Sequence, residues 1–324
     1  MTILQRESRM PPLVGATEWV NSEPLTPGEL QGRAVLIDFG TYTCINWLRT
    51  LPHIRAWAEK YREHGLVVVG IQTPEFEFEQ SLDSVRREVK ARGIDWPVAV
   101  DNRYEIWQAF CNHYWPALYF VDAQGRIRHH HFGEGEYEES EMVLQMLLRE
   151  AGVDVDQGLV RIEPHGVEAA ADWASLGSPE TYLGYERAVG FASPGGVVPN
   201  ERQVYSAPAE LRRNHWALSG DWAIGLVPAL LNEPGGSIRY QFHSRDLHLV
   251  MGPPVGHPPV PFRVRLDGKP PGRAHGVDVD ESGNGTADYQ RMYQLIRQPP
   301  QIGGRLFEIE FLDSGVEAFV FTFG

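Results

Sequence analysis

The chain has 324 residues, enough for two domains that each bury a core without disulfide staples. A formal net charge of -14 argues against nucleic acid or an anionic membrane as the main partner, because both require a basic surface. Only Cys44 and Cys111 are present, too few for a secreted disulfide framework, so the pair has a chemical role or an incidental one.

The first residues, Met1 to Arg9, carry charges where a signal peptide needs an apolar stretch, and no later run is long and apolar enough to span a bilayer. A soluble, cytoplasmic protein is expected. The first clear element is Val35-Leu36-Ile37-Asp38-Phe39, suited to a buried parallel strand that stops at Gly40. After Cys44, Leu48, Leu51, Ile54, Trp57 and Tyr61 recur at helical spacing among charged residues, so an amphipathic helix begins at the cysteine and ends at His64-Gly65. Leu66 to Ile71 is the next buried strand, and Leu82, Val85 and Val89 mark a second helix. Pro97 to Val100 is a short strand, Tyr104 to Phe110 a short helix, and Ala117 to Val121 and Arg126 to Phe132 two strands around the Gln124-Gly125 turn. A helix from about Tyr137 to Ala151 closes the unit. A βαβ core followed by a hairpin and a final helix is the pattern of a thioredoxin-like α/β domain.

Beyond about residue 155 helical periodicity fades and Pro, Gly and short apolar stretches take over. Strands are expected at Trp222 to Val227, Ser237 to Phe242, Leu247 to Met251, Phe262 to Leu266, Met292 to Ile296, Leu306 to Phe311 and Val316 to Phe323. The expected organisation is therefore a thioredoxin-like domain over 1-155, a linker over 156-177, and an all-β sandwich, jelly-roll-like, over 178-324.

Cys44 sits at the junction of a buried strand and a helix N-terminus, where the helix dipole and free backbone N–H groups favour thiolate over thiol. Asp38, six residues earlier, is placed to exchange a proton with a neighbouring thiol or water. Asp38 also has a purely structural reading, a buried carboxylate hydrogen-bonded to water.

The stretch Ile37-Asp38-Phe39-Gly40-Thr41-Tyr42-Thr43-Cys44-Ile45-Asn46 resembles the thioredoxin-like (redoxin) module of DipZ-type thiol:disulfide interchange proteins. Thr73-Pro74-Glu75-Phe76, Tyr114-Trp115-Pro116-Ala117, His130 to Tyr137 and Thr181 to Arg187 are similar to that family as well. The resemblance covers most of the chain, including the β-rich C-terminal part, which in such proteins resembles a carbohydrate-binding module; the family's membrane-embedded electron-transfer domain has no counterpart in it. It implies Cys44 as the attacking cysteine, Asp38 as the buried acid, Pro52 as the helix-kinking proline and Pro116 as the cis-proline flanking the site, able to hold a substrate peptide as an added strand. Two positions depart: Gly40 replaces the family's tryptophan, and Trp47 replaces its resolving cysteine. A dithiol reductase escapes its mixed disulfide through a second thiolate, which Trp47 lacks. Cys44 alone is expected to form mixed disulfides with a protein or glutathione, or a sulfenic acid with peroxide, an external thiol completing the cycle. The two departures conserve local volume and are read as one compensated change.

Other readings stay open. Cys111, five residues before Pro116, is either a relocated resolving cysteine or core. Position 47 is alternatively selenocysteine read as Trp. The run His129-His130-His131 alternates faces on a strand and does not chelate one ion undistorted, Glu75 is an exposed loop carboxylate or approaches the site, and Asp278 to Gly285 begins like a calcium loop but ends on Tyr289 without a bidentate Glu. Asn284-Gly285 fits a hairpin turn. No metal or other cofactor is implied. Trp216, Trp222, Tyr240 and Tyr289 form either a sugar-stacking platform or core. The expectation is a monothiol thioredoxin-like oxidoreductase; its rival is a redox-inactive scaffold whose β domain binds a glycan or protein ligand.

Overall fold

The computed structural model describes residues 8–324 and divides into two units, one through Ala169 and one from Ala170 to Gly324. In the first, the chain runs β1 (Ser8–Arg9), β2 (Glu18–Val20), α1 (Pro27–Leu30), β3 (Ala34–Gly40), α2 (Ile45–Tyr61), β4 (Leu66–Gln72), α3 (Leu82–Ala91), β5 (Val98–Val100), α4 (Glu105–Ala109), β6 (Ala117–Val121), β7 (Arg126–Phe132) and α5 (Tyr137–Glu150). The strands form one sheet in the order β1-β7-β6-β3-β4-β5-β2, with β3, β4 and β5 parallel and every other pairing antiparallel. Every residue of β3 is buried, which is why its sequence is an unbroken apolar run interrupted only by Asp38. The elements β1 and β2 are only two and three residues long and carry no periodicity, and α1 is a single turn marked by the Thr26/Glu29 capping box and Pro27. The two strands form because partners distant in sequence accept them, Trp19 opposite Ala99 and Ser8 opposite Ile127.

Residues 156–169, expected to be part of a linker, pack onto the same unit. Val160 N–H donates to the Glu141 carboxylate at 2.9 Å, Lys60 Nζ bonds the Gly158 carbonyl, and Arg55 Nη2 pairs with Glu168 at 3.0 Å. Polar side chains on α2 and α5 thus hold a stretch whose own sequence has no periodicity.

The second unit is all β: β8 (Thr181–Tyr182), β9 (Arg202–Tyr205), β10 (Trp216–Ile224), β11 (Ala229–Leu231), β12 (Ser237–His243), β13 (Asp246–Gly252), β14 (Val260–Leu266), β15 (Asn284–Ala287), β16 (Arg291–Arg297), β17 (Gly304–Phe311) and β18 (Glu317–Phe323). One antiparallel layer runs β15-β14-β17-β12-β10, and β10 continues into a second, β10-β11-β18-β13-β16. Their inner faces meet through aromatic pairs such as Tyr240–Phe321 and Phe307–Phe321, with ring centroids 5.2 and 5.9 Å apart. This is the sandwich expected from the spacing of the apolar runs.

Two sequence expectations need correction here, and one open alternative is decided. The strand expected from Trp222 begins six residues earlier and ends at Ile224, because Gly220 is a corner within one strand rather than a break. It has φ +98, and a Cβ there would stand 2.8 Å from Gly236 Cα; the residues before it pair with β12 and those from it on pair with β9 and β11. Asn284-Gly285 is not a hairpin turn but the start of β15, opposite Arg263 and Phe262. The turn comes just before it, where Gly283 takes φ +91 and its N–H bonds the Asp280 carbonyl, and Gly285 is small because a Cβ would meet the Phe262 ring at 2.3 Å. Of the two readings of the aromatics, core is the one that holds: Trp216, Trp222 and Tyr240 are fully buried in the sandwich core, and Tyr289 lies outside it. Along the β12 and β17 face turned away from that core, Arg239 and Arg265 pair with Glu308 in a cross-strand row, so charges rather than rings cover this surface.

Candidate functional site

The parallel pairing of β3 with β4 carries the end of β3 to the start of α2, and the connecting residues 41–44 form the site. Thr41 O accepts the Cys44 N–H at 3.1 Å, and Cys44 O accepts Leu48 N–H at 3.0 Å, so the cysteine closes a turn and caps α2 at once. Its backbone is extended (φ -77, ψ 112), as an N-cap residue requires, and its side chain is half-buried. The Trp115–Pro116 bond is cis, and the Cys44 thiol faces the Trp115 carbonyl at 3.8 Å. Trp115 is held in turn by its indole N–H on the Thr73 carbonyl, 3.1 Å. Pro52 lies buried within α2, about two turns beyond the cysteine.

Trp47 points inward. Its indole is 7% exposed and its Nε1–H donates to both oxygens of Asp38, at 3.0 and 3.2 Å. It also lies flat over Gly40: a Cβ at that position would stand 2.1 Å from Trp47 Nε1. The ring occupies the space a side chain at position 40 would need, which is the volume exchange anticipated from the two departures. Asp38 is 1% exposed, and burial raises its carboxyl to about 7, the indole N–H pulling in the opposite direction. A cavity of about 20 Å³ lined by Asp38, Gly40, Trp47, Gln72 and Trp96 adjoins it, room for a single water.

A second buried carboxylate was missed by sequence reasoning, which singled out Glu75. Glu79, with no exposed surface, accepts the Thr43 hydroxyl at 2.6 Å through Oε1 and the backbone N–H groups of Glu75 and Phe76 at 2.6 and 2.9 Å through Oε2. Thr41, whose hydroxyl accepts Gln72 Nε2 at 3.0 Å, contributes a further hydroxyl contact to Glu79. Burial raises Glu79 to about 7 against the pull of these donors. The one available signal was the spacing of Phe76 and Glu79, which in a 3₁₀ turn puts the glutamate on the face of a buried aromatic.

The remaining candidates lie apart from this cluster. Cys111 is exposed, just past α4, in a left-handed conformation (φ 51), and both cysteines are free thiols. The three histidines alternate as expected: His129 packs toward Phe120, His130 toward Phe132, and His131 Nδ1 pairs with Glu136 at 3.2 Å. Among the described residues no three His, Cys, Asp or Glu side chains converge on a metal position. In the second unit, the acidic run is spent internally, with both Asp280 oxygens bonded to Asn284. Among the described residues no helix is long and apolar enough to cross a membrane.

Known proteins place these features. Residues 18–130 match the AhpC/TSA family and residues 178–324 match the thioredoxin-like C-terminal domain family. Protein DipZ of Mycobacterium bovis and that of Mycobacterium tuberculosis are each 36% identical over 247 residues, 75% of this chain and 35% of theirs. The chain thus spans about a third of the length of these relatives. Thiol-disulfide oxidoreductase YkuV of Bacillus subtilis is 28% identical over 124 residues, 38% of this chain and 83% of that protein. A solved thioredoxin-like protein in the oxidised form shares 28% identity, covers 44% of this chain and 97% of its own, and superimposes with a TM-score of 0.42. The chain is a homologue of DipZ, with an α/β unit that matches the AhpC/TSA family followed by an all-β unit that matches the thioredoxin-like C-terminal domain family.

Proposed function

We propose that the chain carries out monothiol chemistry through Cys44, acting in the cytoplasm on glutathione or protein disulfides, or on peroxide. The observation that carries this reading is the combination of a half-buried thiol at the N-cap of α2, facing the Trp115 carbonyl before Pro116, with an indole where a resolving thiol would stand. In exchange, the Cys44 thiolate attacks one sulfur of a disulfide, the S–S bond breaks, and the displaced thiolate takes up a proton. An external thiol then reverses the step on the mixed disulfide. With peroxide, the thiolate takes one oxygen to become sulfenate, the O–O bond breaks, and hydroxide leaves as water once protonated. Asp38 is the buried acid near the end of β3, but its two oxygens share the Trp47 N–H. Pro116 fixes the loop against which a substrate strand would lie.

That same Trp47–Asp38 contact favours a rival reading, a redox-inactive scaffold in which the proton-exchanging group is engaged by the indole. Selenocysteine at position 47 is the weaker alternative: the indole over Gly40 fits a tryptophan, and a UGG codon in the gene excludes selenium. Peptide mass spectrometry of the reduced, folded protein after glutathione disulfide or dilute peroxide at near-neutral pH separates the readings. A glutathione or sulfenic adduct on Cys44 is expected, a Cys44–Cys111 disulfide would move the resolving role to Cys111, and an unreacted Cys44 would overturn the proposal in favour of the scaffold.

A further inference from the structure

We infer that Glu79 is a positioning residue for the Cys44 thiol: from the far side of the turn it holds Thr43 and Thr41, and so sets where the sulfur of the next residue points. The inference deepens the monothiol reading and rests on it only for the identity of the reacting group.

The geometry is that of a clamp. Glu79 stands in the short turn after β4, 36 residues from Thr43, with no exposed surface. Through Oε2 it takes the N–H groups of Glu75 and Phe76, which orders its own turn, and through Oε1 it takes the Thr43 hydroxyl immediately before Cys44. Thr41, with its side chain fixed between Gln72 and Glu79, supplies the carbonyl that accepts the Cys44 N–H. Cys44 is therefore bracketed by two residues whose hydroxyls end on one carboxylate. Charge-assisted hydrogen bonds to a buried carboxylate are the strong kind, and an apolar surrounding offers no water to replace them. A fully buried glutamate costs stability unless it is bonded in this way, so its retention next to a reactive thiol needs a reason beyond packing.

The clamp also responds to charge. As an ion, Glu79 only accepts; protonated, one oxygen becomes a donor and one hydroxyl contact has to reverse. The other ionisable groups facing it are Glu75 on its own turn and Tyr104 at the start of α4; Asp101 acts on Tyr104 and is bonded to Thr73. Among the described residues, Glu79 is the carboxylate hydrogen-bonded to the residue adjoining the thiol.

The test follows iodoacetamide alkylation of Cys44 in the full chain by peptide mass spectrometry from pH 5 to 10, with exposed Cys111 as internal control. The wild type is expected to show two inflections, one belonging to Glu79 and one to the thiol. Glu79→Gln should leave one inflection and change the high-pH rate about five- to tenfold, the scale of a lost hydrogen bond. Thr43→Val, which keeps the carboxylate and its backbone contacts and guards against misfolding of the first variant, should reproduce the rate change. Cys111 should be unaffected throughout. Cys44 profiles that superimpose in all three proteins would overturn the inference. If Cys44 responds to Glu79 but takes no adduct from glutathione disulfide, the positioning role stands and the monothiol reading falls. A Cys44 that stays unalkylated to pH 10 while Cys111 reacts would overturn both.

Discussion

Trp47 and Gly40 behave as one unit of design at the scale of the residue. A Cβ at position 40 collides with the indole, so Gly40→Ala should destabilise the wild type, whereas in a Trp47→Cys background the same or a larger side chain fills space the indole has vacated. Trp47→Cys alone opens a large cavity and frees Asp38, and a loss of about 3–5 kcal/mol is expected. Gly40→Trp in that background should recover much of it, the opposite sign from its effect alone, and urea unfolding of the four proteins of the cycle gives the coupling directly. If the scaffold is otherwise intact, the double variant should reduce insulin disulfides; a folded but inert one would mean the site departs from a dithiol reductase by more than position 47. The volume exchange was legible in the sequence. That the indole N–H would end on Asp38 was not, since it depends on how far α2 is rotated over β3.

Asp38 also makes a pH prediction. Its carboxyl is raised by burial from 3.8 to about 7, so between those values the folded state holds a proton that the unfolded state has lost. Its contribution to stability is fully present below about pH 4 and declines as pH rises to about 7, by about 1.4 kcal/mol per pH unit where the two states differ by one proton. Glu79 adds a slope of the same sign. Asp38→Asn, which still accepts the indole N–H, should flatten the decline, gaining relative to wild type more at pH 8 than at pH 5. An unchanged slope in denaturant midpoints would remove Asp38 as its source.

Among the elements, α2 is the one most tightly committed to the site. Beyond its apolar face it carries Arg49, 3% exposed, which pairs at 3.1 Å with Glu134 just before α5. Removing one member of a buried pair leaves a charge unmatched, so Glu134→Ala is expected to cost about 3 kcal/mol, and Arg49→Met in the same protein to return most of it. Equal loss from both single variants with no recovery in the double would show packing, not charge, to be the cause. The helix and its apolar stripe were legible because their period is local. Arg49 read as a solvated charge between stripe positions, because its partner lies 85 residues away. For the same reason Glu79 was passed over, and Gly285, read as a turn, proved to be a close-packing position inside a strand.

For the whole molecule, the contacts draw a boundary at Ala169–Ala170 rather than at residue 155. A fragment of residues 1–169 is expected to fold cooperatively and keep Cys44 alkylation at the full-length rate. Ending it at residue 155 removes the Val160–Glu141 and Arg55–Glu168 contacts and exposes Lys60 and Glu141, and should lower the thermal midpoint by several degrees, the shift that about 1 kcal/mol produces at this size. Equal midpoints would make residues 156–169 an unattached tether. By itself the sequence determined what is periodic or adjacent: the order of strands and helices of the first unit from β3 to α5, the all-β character of the second, the placing of Cys44 at a strand-to-helix junction and the absence of a thiol at position 47. Only the tertiary structure decided what long-range contact decides: that 156–169 joins the first unit, that Trp216, Trp222 and Tyr240 are core, that Trp47 engages Asp38, and that Glu79 reaches the cysteine turn. Periodicity is written in neighbouring residues, whereas a buried hydrogen bond between groups tens of residues apart exists only once the chain has brought them together.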